Sequence, residues 1–166
     1  EEGTLARLKA LRAELVDPAI AEHRGRIFKT TGDGVLVEFP SVVDAVQCAA
    51  RVQIAMAARG AADPAERRLV FRIGINLGDV IVEGDDLYGD GVNVAARLEG
   101  ICDPGGVAVS GNAWEQVRGK VPFEFLDRGE HRVKNIARPV RVYAPDLRAH
   151  GILPGKRPLL DRRRAI

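Results

Sequence analysis

Arg26-Ile27-Phe28-Lys29-Thr30-Thr31-Gly32-Asp33-Gly34-Val35-Leu36-Val37-Glu38-Phe39 is the most informative run in this chain. Apolar and β-branched residues flank an Asp-Gly pair, and Asp-Gly tolerates the positive φ angles that tight hairpin turns demand. The run therefore reads as two short antiparallel strands with the Asp33 carboxylate at the tip and Lys29 on the incoming strand. The backbone fixes the spacing of one cation and one anion, an arrangement suited to a phosphate or a metal. By itself this proves little, because an Asp-Gly turn is most often structural and a strand lysine most often solvated.

Working outward from the hairpin toward the N-terminus, Thr4 caps a helix whose Leu5, Leu8, Leu11 and Leu15 recur at helical spacing. Asp17-Pro18 is expected to stop it and to start a short second helix over Ala19 to His23. In the other direction, Ser41 caps a helix with Val43, Val46, Ala50, Ile54 and Ala57 on one face, ended by Gly60. Leu69, Phe71, Ile73, Ile75 and Leu77 then alternate with less apolar positions at the strand period of two. Gly78-Asp79 is expected to turn this strand back onto Val80-Ile81-Val82 as a second hairpin. A Gly- and Asp-rich connection, residues 84 to 91, leads to a helix over Val92 to Glu99. Asn93 and Arg97 lie one turn apart on it and reach toward one spot. A short buried strand at Gly106 to Val109, a helix from Ser110 with Trp114 and Val117, and two closing strands at Phe123-Phe125 and Val140-Tyr143 complete the pattern. This order predicts an α+β fold, with helices packed on an antiparallel sheet of ferredoxin-like type. Residues 1–144 form the domain; residues 145–166, with three prolines and the run Arg162-Arg163-Arg164, read as a basic tail or linker.

Composition narrows the function classes. The 166 residues are 46% hydrophobic and 29% charged, enough for one domain with a real core, and the formal net charge is only +2. That balance argues against nucleic acid as partner. No apolar run approaches the ~20 residues of a membrane span, so direct membrane insertion is not expected. Cys48 and Cys102 stand apart in apolar contexts and read as buried, reduced thiols, which favours a cytoplasmic location.

Four ordered motifs carry a resemblance: Lys29-Thr30-Thr31-Gly32-Asp33-Gly34, Arg72 to Gly78, Asp86 to Glu99, and Val133-Lys134-Asn135-Ile136. Together they resemble the catalytic domain of a class III nucleotidyl cyclase of bacterial type, over about Arg26 to Tyr143. The resemblance implies conversion of ATP to 3′,5′-cyclic AMP and pyrophosphate in intracellular signalling. It implies Asp33 as a ligand of two Mg²⁺ or Mn²⁺ ions, and Lys29 and Asp86 as the purine-selecting pair, with the adjacent Asp85 an alternative to Asp86. Asn93 and Arg97 are implied as the catalytic pair that positions ribose and stabilises charge on the α-phosphate, and Lys134 as the grip on the terminal phosphates. It also implies a head-to-tail homodimer in which Lys29 and Asp33 of one chain serve opposite sites.

The sequence departs from the family pattern at its start. The pattern opens on a strand with a second metal aspartate, whereas Glu1 here leads directly into helical sequence, so the domain reads as N-terminally incomplete. The alternative to an active cyclase is a catalytically incomplete module that binds ATP and dimerises.

Overall fold

The leucines of the N-terminal helix divide between solvent and core. Leu5 is 50% exposed, whereas Leu8, Leu11 and Leu15 lie against the main core. The computed structural model describes residues 2–31, 34–61, 64, 68–84 and 86–148; the side chains of residues 2, 29, 31, 86 and 87 stand outside that set. Helix α1 (Glu2–Leu11) does not stop at Asp17-Pro18 as expected. It passes through a π-helical turn (Arg12–Val16) into α2 (Asp17–Glu22). The Asp17 amide donates to the Arg12 carbonyl, the wider i to i−5 bond of a π turn. Pro18 has no N–H to place and sits in the first turn of α2, so the ring is accommodated rather than disruptive. Arg24 in the left-handed region ends α2, and Gly25 is packed so tightly that a Cβ would meet Ile20 and Phe39 at 2.7 Å.

The two strands of the opening hairpin pair as read. Strands β1 (Arg26–Thr31) and β2 (Gly34–Glu38) pair antiparallel from Arg26 opposite Glu38 to Thr31 opposite Gly34, with a bulge between Ile27 and Lys29. Helix α3 (Val42–Gly60) is capped as expected: the Ser41 hydroxyl accepts the Asp44 amide at 3.1 Å. Of the expected face, Val46 and Ala50 are buried, Val43 and Ile54 are half-buried, and Ala57 alone is exposed; Val42, Ala45, Ala49, Val52, Gln53 and Met56 widen the buried side. The neutral amide of Gln53 is buried because it donates to two main-chain carbonyls, of Phe71 at 3.0 Å and Gly106 at 2.7 Å.

The second hairpin differs from expectation. β3 is confined to Ile73–Ile75 and pairs parallel with β6 (Val107–Ser110); β4 (Ile81–Glu83) pairs instead with β5 (Asp86–Tyr88), in the stretch read as a connection. Gly84, at φ 59°, supplies the left-handed turn residue between β4 and β5. Helix α4 (Asp90–Ile101), helix α5 (Gly111–Val117), β7 (Phe125–His131) and β8 (Val140–Pro145) complete the chain. The main sheet runs β3-β6-β8-β7, mixed rather than wholly antiparallel, while β1-β2 and β4-β5 are separate ribbons. Among the described residues, β2 and β3 each keep one edge without a strand neighbour.

One core cluster gathers α2, α3, β3, β6 and α5; a second places Val94, Leu98 and Cys102 of the α4 segment against Ala108, Val133 and Val142. Trp114 of α5 stacks on Tyr143 of β8, ring centroids 4.0 Å apart. Ordered structure continues past Tyr143. Leu147 is buried and the Asp146 amide donates to the Glu124 carbonyl at 2.7 Å.

Candidate active site

Helix α4 carries the two candidate residues whose side chains the structure describes most directly. It starts at Gly89, which takes φ 118°, a conformation that excludes most side chains at this N-cap. Val94 and Leu98 face the second core, leaving Asn93 and Arg97 on the exposed side, one turn apart. Arg24, Arg51, Arg128, Arg141 and Arg148 are each held by a carboxylate. Arg97 takes no hydrogen-bond or ion-pair partner among the described residues, and neither does the side chain of Asn93. A guanidinium and an amide, both pre-aimed and unengaged, suit an anionic oxygen that arrives from outside.

The support beneath them is backbone. At Gly74 of β3 an added Cβ would stand 2.4 Å from the Ala95 carbonyl oxygen and 2.5 Å from the Glu99 nitrogen, so α4 rests directly on the strand. At Gly91 a Cβ would meet the Asp79 oxygen at 2.6 Å. The Gly91 amide donates to that same oxygen at 3.1 Å. Two asparagines that the sequence reading did not assign complete the junction. Asn76 donates to the Gly91 carbonyl at 3.1 Å, and Asn112 of α5 donates to the Leu77 carbonyl at 2.6 Å. Asn76 falls within the Arg72 to Gly78 motif, but the spacing of that motif does not show what its amide meets.

Lys134 occupies an exposed turn closed by the Ile136 amide on the Val133 carbonyl at 3.1 Å, with Asn135 at φ 67°. Val133, immediately before it, is buried against the α4 core, which ties this turn to the helix of Asn93 and Arg97. Lys29 lies on β1 opposite Leu36, and Asp86 begins β5 opposite Glu83. β1 packs beside β5, so the strands that carry the expected purine pair are neighbours. The side chains of Lys29 and Asp86, and the whole of Asp33 and Asp85, lie outside the described residues.

Comparison with known proteins places these elements. The sequence profile of the adenylate and guanylate cyclase catalytic domain matches residues 5–144. The chain belongs to this cyclase family. It is 53% identical over 143 residues to a Rhizobium meliloti (strain 1021) protein named "Putative adenylate cyclase 3", covering 86% of this chain and 24% of that protein. The cyclase domain thus spans about a quarter of that relative's length. An adenylate/guanylate cyclase/hydrolase from Silicibacter pomeroyi superimposes with a TM-score of 0.82 at 47% identity, covering 85% of this chain and 83% of that one. The catalytic core of a rhodopsin-guanylyl cyclase with converted specificity, in complex with ATPalphaS, superimposes with a TM-score of 0.72 at 25% identity, covering 87% and 83%.

Within this cyclase domain no three His, Cys, Asp or Glu side chains converge among the described residues, so these residues do not by themselves make an ion site. Both cysteines are free and buried, as read from the sequence. Burial pushes the Cys48 and Cys102 thiols up to about 12, which removes them as nucleophiles near neutral pH. No helix among the described residues is long and apolar enough to cross a membrane.

Proposed function

We propose that this cyclase domain converts ATP to 3′,5′-cyclic AMP and pyrophosphate, at sites formed between two copies of the chain in the cytoplasm. The reading is carried by Arg97 and Asn93, set one turn apart on a helix that rests on backbone, with no acid engaging the guanidinium among the described residues. In the reaction Asn93 orients the ribose so that its 3′-oxygen faces the α-phosphorus, and Arg97 meets the charge that develops on the α-phosphate. Lys134, from the turn packed under the same helix, grips the terminal phosphates. Lys29 and Asp86 select the base. Adenine offers an acceptor at N1 and a donor at N6, which a lysine and an aspartate complement; guanine reverses that polarity and would leave protein groups unpaired.

Asp33 offers the hard oxygen that Mg²⁺ or Mn²⁺ takes, and two such ions, when bound, lower the pKa of the 3′-hydroxyl and neutralise the leaving pyrophosphate. The exposed apolar side chains of the β4-β5 ribbon, Ile81 and Val82 among them, favour burial against a second copy in the head-to-tail arrangement.

The test is cyclic nucleotide formation from ATP and from GTP with Mn²⁺, run on the chain and on Lys29→Glu. Cyclic AMP as main product, with the ATP preference weakened in the variant, is expected. Cyclic GMP as main product would overturn the purine assignment. ATP-dependent thermal stabilisation without any cyclic product would support a module that binds ATP and dimerises.

A further inference from the structure

We infer that Asn76 is a positioning residue for the candidate active site, acting through Gly91 on Asn93; the inference rests on the roles proposed above. Asn76 stands one residue beyond β3, half-buried, and its amide nitrogen donates to the Gly91 carbonyl at 3.1 Å. Gly91 is the second residue of α4 and is itself buried. It is held from the other side as well, since its own N–H donates to Asp79 at 3.1 Å. The room for this double attachment is supplied by glycine. A Cβ at Gly78 would meet the Asn76 amide nitrogen at 3.0 Å and the Gly91 Cα at 3.1 Å.

The consequence is geometric. The residues 76–79 leave β3 and lead into β4, whose partner β5 carries Asp86. The same residues, through Asn76 and Asp79, fix the first turn of α4, two positions before Asn93. One junction therefore registers the base-selecting strand against the ribose- and phosphate-facing helix. The second attachment of this loop, from Asn112 to the Leu77 carbonyl, lies on the exposed side and does not touch α4. A side-chain amide is required at position 76, because the group opposite it is a carbonyl. Asn76→Asp keeps the shape and replaces the donor by an acceptor, which the Gly91 oxygen repels.

Asn76→Asp is expected to lower kcat by on the order of ten- to a hundredfold, the cost of a roughly 1 Å misplacement, with a much smaller change in KM. In Asn76→Asp/Asn93→Ala the loss should fall clearly short of the product of the two single losses, since part of the Asn76 effect passes through Asn93. Independent, multiplying losses in the double variant, or kcat unaffected in Asn76→Asp, would overturn the inference. Hydrogen-deuterium exchange on the wild type and Asn76→Asp reads the junction whether or not the chain turns over nucleotide. Faster exchange confined to residues 79–97 is expected, and unaltered exchange there would overturn the inference while leaving the cyclase reading intact. Absence of cyclic product from the wild type, with exchange altered in the variant, would instead count against the cyclase reading alone.

Discussion

The α4-β3 contact and the β4-β5 ribbon lie next to one another along the chain, yet they are held in opposite ways. At Gly74 and Gly91 main chain meets main chain with no space for a methyl group. On the ribbon, by contrast, Ile81, Val82 and Tyr88 are 52%, 55% and 38% exposed, and Val80 just before it is 41% exposed. The difference teaches that the helix with Asn93 and Arg97 is positioned from within the chain, whereas the ribbon whose second strand begins at Asp86 presents apolar surface that the described chain does not cover.

The contrast can be broken most severely at Gly74. In Gly74→Val the added carbons collide with α4 backbone that cannot yield as a side chain would, and stability should fall by about 3 kcal/mol or more. Urea denaturation measures it; a loss under about 1 kcal/mol would mean that α4 can slide on β3, contrary to the contact described. Next comes Arg97→Ala, which removes an exposed group from a helix that stays in place. Turnover should drop by about 10²–10³-fold while the melting temperature hardly moves. A parallel loss of fold would show that Arg97 supports structure.

A smaller effect is expected from the ribbon. Ile81→Asp/Val82→Asp should leave the stability of the isolated chain within about 0.5 kcal/mol, because both side chains are exposed, yet weaken self-association by on the order of tenfold or more. Sedimentation velocity over a concentration series checks this, and unchanged association would move the interface elsewhere. Smallest is the response of the thiols to pH. Burial raises Cys48 and Cys102 from 9.0 to about 12 in the folded chain. Below pH 9 both folded and unfolded thiols are neutral and this contribution is fully present. As pH rises from 9 toward 12 the unfolded chain ionises first, and the contribution is lost. Urea midpoints should therefore decline over that window, and native protein at pH 8 should resist thiol reagents that label the unfolded chain.

What the sequence disclosed and what it hid divide along sequence distance. The β1-β2 hairpin is local, and Asp-Gly between β-branched runs announces it. The Asn93 and Arg97 spacing is local too, and the helix places both as expected on one exposed side. The pairing of β3 with β6 joins residues more than thirty positions apart in parallel, and no turn dipeptide marks such a partnership. Alternation over residues 69–77 therefore looked like one arm of a hairpin, and Gly78-Asp79 outbid the equally good turn at Gly84. Pro18 was a misleading stop because a π turn ahead of it removes the clash that normally ends a helix. Asn76 was hidden for a related reason: its partner carbonyl on Gly91 is close only after α4 has settled on β3.

The stack of Trp114 on Tyr143 gives the molecule a built-in optical reporter. Trp114 is the single tryptophan of the chain, with the Arg118 guanidinium 5.0 Å from its ring and Tyr143 stacked on it. Its near-ultraviolet dichroism and emission therefore record whether α5 is seated on β8. That signal registers the integrity of the sheet, so a variant whose turnover vanishes while the tryptophan spectrum persists has lost chemistry and kept its scaffold.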